Sequence, residues 1–343
     1  MHDAPSLSNP STVTSFPVDF DPQRDEFLML PMAAECIADA AFLDQRLGGD
    51  WTTATRVDWR DVPATSQRPG VALLFHTAFC CSTLLARALQ SPPRVIALKE
   101  PLALSQIASA ALSQPRSQIQ GPLCAALQLL ARPWAPGGRC LIKPTNQANN
   151  LLPDILRMTS GKAILLYSSL PEFVVSCCKK LPEADTRVRW MAQHLLKDTH
   201  LQHVLGIAWN HHFHFIESCV LTWYAQMERY ADALAADSDD RLRSLDMQAM
   251  LADPAGVVAA AADWLQLEID ASALQARVLT EFQRNSKHPD RPYDLTRRAE
   301  ERKQAMTHYA DVQDNALAWA HETIVPVARM PIDWKSLAPT LPD

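Results

Sequence analysis

No apolar run in these 343 residues approaches the length of a bilayer span. The opening stretch MHDAPSLSNPSTVTSFPVDFDP has neither the basic n-region nor the apolar core of a secretory signal. The sequence therefore reads as soluble and cytoplasmic, without a membrane partner. Basic charge is not in excess: 32 Lys and Arg stand against 38 Asp and Glu, a net charge of −6, so the footprint of a nucleic-acid binder is missing. The eight cysteines include adjacent pairs, Cys80/Cys81 and Cys177/Cys178, inside apolar strand and helix patterns, not in the spaced framework of a small secreted domain. Reduced, buried thiols are expected, since a bridge between neighbouring residues is strained. Internal repeats and low-complexity tracts are also absent.

What is present is ample apolar material, 48% of the chain, patterned as alternating strands and helices. Residues 1–22, rich in Ser, Pro, Thr and Asp, read as a flexible tail. Residues 23–64 read as a helical segment and linker, with Phe27, Leu30, Ala33, Ile37, Ala40, Leu43 and Leu47 at helical spacing and Gly48-Gly49 as a stop. An α/β domain is expected over 65–330. Its strands are Val71–Phe75, Arg94–Leu98, Arg139–Lys143, Lys162–Tyr167 and Arg241–Leu245, separated by helical patterns as in a parallel sheet covered on both faces. Polar residues follow the first four strands, and the C-terminal edge of an open α/β sheet is where ligands bind.

The stretch GVALLFHTAFCCSTLLARALQ reads as strand, tight turn and helix. Its turn holds no glycine, yet Ser82 and Thr83 open the helix, and the N–H groups of Cys80, Cys81, Ser82 and Thr83 can cradle a phosphate or sulfuryl group. The bland alternative is a capped helix in an ordinary βαβ unit. Lys143 leaves a buried strand toward the same edge and offers a cation. Glu100, at the end of the neighbouring strand, offers a base, or else only an ion pair with Lys143. His76 is a secondary base or phosphate ligand. A zinc site at His211, His212 and His214 within Asn210–Phe215 is a competing reading against a polar loop. The basic group Arg284, Lys287, His288, Arg291, with Arg297 and Arg298, reads either as a flap over a phosphate or as a solvated helix cap.

In order, HTAFCCSTLLARAL, KEPLAL, CLIKPTNQANNLLPDI, ILLYSSLPEFVVSCCKK and RLRSLDMQAMLADPAGVVAAAADWLQL resemble segments of the sulfotransferase superfamily, over most of residues 70–267. The resemblance implies a P-loop-like three-layer α/β sandwich with 3′-phosphoadenosine 5′-phosphosulfate as co-substrate, a small-molecule acceptor and no metal. It places the 5′-phosphosulfate at Cys80–Thr83 and the 3′-phosphate at Ser168 and Ser176, where Lys287 and Arg291 of the basic segment are read as supplying charge. It supports Glu100 as a base, beside Lys143 and His76, the catalytic candidates read from their places at strand ends. The chain departs from the family pattern at Phe79, where a loop lysine falls, at Cys81 for a glycine, at Ser168 for an arginine and at Asn146 for a histidine. Sulfuryl transfer to a hydroxyl or amine is the first expectation; a non-catalytic binding module of the same fold, or a transferase with a different phosphorylated donor, is the alternative.

Overall fold

The computed structural model describes residues 13–208, 211–288 and 290–338. Three strands come first: β1 (Val13–Asp21), β2 (Glu26–Ala33) and, after a short helix α1 (Ala34–Asp39), β3 (Thr55–Asp58), forming an antiparallel sheet in the order β1-β2-β3. This corrects two expectations. Within the tail expected over 1–22, residues 13–21 are a strand with Phe16, Val18 and Phe20 buried, while residues 1–12 lie outside the described residues. Of the helix expected from Glu26, only Ala34–Asp39 is helical. Asp25 takes a left-handed φ of 60° and closes a hairpin in which Phe20 faces Phe27, and a short apolar run fits either period until it finds a partner. The expected boundary near residue 65 does not separate two cores, because Phe16, Phe20 and Phe27 join the same buried cluster as Leu73 and Phe75.

The second sheet has five strands, β4 (Ala72–His76), β5 (Val95–Lys99), β6 (Arg139–Lys143), β7 (Ala163–Tyr167) and β8 (Leu242–Asp246), all parallel, in the order β5-β6-β4-β7-β8. Its strands are those expected, displaced by at most one residue. They pair this way because both faces are covered: β4, β5 and β7 are buried at every position, which suits continuous Val, Ile and Leu runs. Between them run α2 (Ser82–Ala88), α3 (Leu102–Ala110), α4 (Arg116–Leu130), α5 (Leu152–Met158), α6 (Leu170–Cys178), α7 (Glu183–Leu196), α8 (His200–Val204) and α9 (Phe215–Ala236). The single helix expected over 187–205 breaks into α7 and α8, because the Thr199 hydroxyl accepts from the Gln202 N–H at 3.1 Å and starts a new helix. After β8 come α10 (Met247–Ala252), α11 (Pro254–Trp264), α12 (Ala271–Glu281), α13 (Leu295–His308) and α14 (Ala310–Trp319).

Two buried charges tie the outer pieces to the sheet. Lys99, fully buried at the end of β5, donates to the carbonyls of Ile37 at 3.3 Å and Ala38 at 2.9 Å, and so holds the end of α1. Burial pushes its ammonium down to about 7. Arg87 of α2 pairs with fully buried Glu281 of α12 at 2.9 Å. Among the described residues no helix is long and apolar enough to cross a membrane.

Candidate functional site

From β4 the chain turns into α2 through Thr77–Cys81, and Ala78, Phe79 and Cys81 all take left-handed φ values of 70°, 53° and 59°. Without glycine each such residue stores roughly 1–3 kcal/mol of strain, so neighbours must impose the shape. His76 is one of them: Nδ1 accepts from the Ala78 N–H at 3.2 Å and Nε2 donates to the Pro144 carbonyl at 3.0 Å. Burial, then the Lys143 charge, holds the imidazole neutral, with its pKa well below the usual value. Both nitrogens are thus committed, and the expected base or phosphate ligand is a support for the loop. Phe79 packs on Phe173 with ring centroids 5.7 Å apart. The Cys80 thiol turns into the core, where burial pushes it up to about 12, so only its backbone can serve a ligand.

Among the described residues no protein acceptor takes the N–H groups of Cys80, Cys81, Ser82 and Thr83. Helix α2 has no side-chain cap, so the Ser82 and Thr83 hydroxyls are not spent as one.

β5 and β6 lie side by side with Lys99 opposite Lys143, which sets Glu100 directly above Lys143. Glu100 adopts φ 59°, its N–H donates to the Lys143 carbonyl at 2.7 Å, and its carboxylate accepts from Lys143 Nζ at 2.5 Å. The lysine is fully buried while the Glu100 side chain keeps 17% exposure. Lys143 therefore neutralises Glu100 from below and borders neither of the two cavities next to the loop, which corrects its expected contact with a leaving group. His76 Nε2 lies 3.7 Å from the same carboxylate.

Those cavities have volumes of about 350 and 280 Å³ and share Phe79 and Cys81 in their walls. Helix α6 divides them by its phase. Glu172, Val175 and Ser176 of α6, with Lys179 at its C-terminal end, border the larger chamber, and Phe173 and Cys177 of α6, with Lys180 in the turn beyond, border the smaller. The larger chamber is closed by Gln248 of α10 and by Tyr293, Arg298 and Arg302 on and before α13. In it the buried Glu172 carboxylate accepts from Arg302 Nε at 2.5 Å, from Ser169 at 3.0 Å and from Gln248. Arg298 lies 4.3 Å above the Tyr293 ring, and its Nε is buried with no partner among the described residues.

The smaller chamber takes His76, Cys81, Ser82, Thr83, Glu100 and Lys287, with Asn146 beside them. Lys180 and Arg187 join them, neither of which the motifs had singled out. Lys180 Nζ sits 4.4 Å above the Phe79 ring. Burial, then Lys287 and Arg187, pulls its pKa down to about 8.

Of the remaining expectations, Ser176 borders the larger chamber but Ser168 does not: it is fully buried behind the sheet edge, its carbonyl taken by Trp223 Nε1 at 2.8 Å. Arg291 borders neither chamber, because the segment before α13 turns it outward, and Arg284 is held by Glu281. In the histidine cluster Asn210 lies outside the described residues, and His214 caps α9 in a reciprocal box with Glu217. Among the described residues no three His, Cys, Asp or Glu are grouped to hold a metal.

No protein-family model and no curated protein matches this chain. Among solved structures, it is similar to a sulfotransferase domain from the curacin biosynthetic pathway, with 13% identity over 65% of this chain and 81% of that one, at a TM-score of 0.41. It is also similar to a sulfotransferase from Alicyclobacillus acidocaldarius, with 12% identity over 66% and 98% of the two chains at a TM-score of 0.36. A third is mouse sulfotransferase SULT7A1 complexed with PAP, with 10% identity over 75% and 90% at a TM-score of 0.32. All three are sulfotransferases, at a distance where what the loop and its two chambers can do follows from their own geometry.

Proposed function

We propose that the chain is a sulfuryltransferase, with 3′-phosphoadenosine 5′-phosphosulfate in the larger chamber and a hydroxyl- or amine-bearing acceptor in the smaller. The observation that carries this is the meeting of two chambers at one loop, where the N–H groups of Cys80 to Thr83 and the Ser82 and Thr83 hydroxyls have no protein partner among the described residues. Transfer between two bound molecules needs such a shared wall, with donors aimed at the oxygens of the group in transit. The donor supplies an activated sulfuryl group; its S–O bond to the bridging phosphate oxygen breaks as the acceptor forms a new bond to sulfur. Glu100 takes the acceptor's proton, and Lys143 beneath it holds the carboxylate in place. The larger chamber suits a phosphate because Ser176, Lys179 and the unpartnered Arg298 Nε face it, and guanidinium groups bind phosphate well.

Glu172 favours a second reading, since a carboxylate in the wall of the larger chamber opposes a nearby phosphate: a binding module of the same fold, or a transferase for a different phosphorylated donor. Calorimetric titration with adenosine 3′,5′-bisphosphate separates the two. Micromolar affinity is expected, about −8 kcal/mol; no binding up to millimolar ligand would reject the donor.

A further inference from the structure

The smaller chamber holds a charge imbalance that the protein does not answer. Lys180, Arg187 and Lys287 border it, and among the described residues none of them makes an ion pair. Nearby carboxylates are spent: Glu100 on Lys143 beneath it, and Asp44 on Arg46 at the rim. Glu183 alone in the wall stands outside an ion pair. In a chain of net charge −6, three cations outside ion pairs stand exposed around one chamber, where water and salt screen their mutual repulsion and a bound anion would meet their combined attraction. Burial first, and then Lys287 and Arg187, draw the Lys180 pKa down, as the proximity of these charges requires. Two further polar groups face the same space, the hydroxyls of Ser82 and Thr83, which are 6% and 5% exposed. The opposite character lines the rest, with Phe42, Phe79, Phe173, Val188 and Met191. A volume of about 280 Å³ lies at the small end of ligand cavities.

We infer that the molecule bound in this chamber is a small organic anion, a hydroxyl or amine compound whose carboxylate or phosphate is held by Lys180, Arg187 and Lys287 while its apolar body lies on Phe79 and Phe173. Its role as acceptor at Glu100 rests on the transferase reading; the charge preference does not. The test is calorimetry on the full chain with 4-hydroxybenzoate, 4-hydroxyphenyl phosphate and the neutral 4-hydroxybenzamide, with and without adenosine 3′,5′-bisphosphate. The charged probes should bind at least about tenfold more tightly than the amide, and the tighter of the two identifies the anion. Replacing both Lys180→Gln and Lys287→Gln should erase that margin, and Lys180→Arg with Lys287→Arg should restore it, which a merely unfolded variant could not do. Bisphosphate affinity should change by less than about twofold in the Gln pair. Equal binding of the amide and the charged probes would overturn the inference. So would an equal loss of bisphosphate in the Gln pair, which would assign these cations to the donor. Charge-dependent probe binding without any bisphosphate binding would leave the anion site standing and remove the transferase reading.

Discussion

In the larger chamber the Glu172 carboxylate meets Arg302, Ser169 and Gln248, whereas in the smaller one Glu100 is held by a lysine beneath it, and Lys180, Arg187 and Lys287 make no ion pair among the described residues. Both chambers border α6 and the turn that follows it, and the adjacent lysines of that turn, Lys179 and Lys180, enter different ones. The larger chamber pairs its one carboxylate with Arg302 and leaves a guanidinium nitrogen and a lysine in the wall. The smaller one leaves Lys180, Arg187 and Lys287 outside ion pairs, among the described residues, around an apolar wall.

The strongest way to break this comparison is Glu100→Gln, which removes a function belonging to the smaller chamber alone. Turnover should fall by a factor on the order of 10² to 10⁴, the usual value of a positioned base. Bisphosphate affinity should hold, and steady-state kinetics beside calorimetry reads both; turnover within tenfold of the parent would remove Glu100 as the base.

Arg298→Ala probes the opposite side. Loss of a charge-assisted contact should weaken the bisphosphate by roughly 1.5–3 kcal/mol, with 4-hydroxybenzoate affinity unaffected. If both ligands weaken together, the two chambers do not divide the work.

The smallest effect expected is a pH dependence confined to the smaller chamber. Lys180, with its pKa drawn down to about 8 by burial and by Lys287, Arg187 and Lys179 against the opposing Cys177, is charged below that pH and neutral above it. Affinity for an anionic probe should therefore fall as pH rises through 8, by up to about tenfold per unit. Lys180→Arg should flatten the curve, and bisphosphate binding should not follow it. A flat profile in the parent protein would take Lys180 out of the anion site.

Much of this arrangement is legible in the sequence, and the exceptions share a cause. The runs that became β4 to β8 are continuous and apolar, and a parallel strand buried on both faces asks for nothing more. Ser82, Thr83 and Glu100 follow from their places just beyond strand ends. Ser168 also lies just beyond a strand, yet its side chain turns inward, because a strand exit does not say which way the next residue points. Lys180 and Arg187 escaped notice because they belong to no motif. Their signal, the repeat of Phe173, Cys177 and Lys180 at helical spacing opposite Ser176 and Lys179, could have been read. The hairpin of β1 and β2 could not, since Phe27 to Leu47 fits a helical period as well as a strand.

By itself the sequence determined the elements whose reasons are local: which segments bury both faces, and that polar groups crowd one edge of the sheet. Only the tertiary structure decided the rest. Pairing of β5 with β6 set Glu100 over Lys143 and withdrew that lysine from any ligand, and packing of α6 against the loop brought Lys180 over Phe79. Charges act through distance in space, and residues 43 apart, such as Glu100 and Lys143, acquire a distance only when the chain folds.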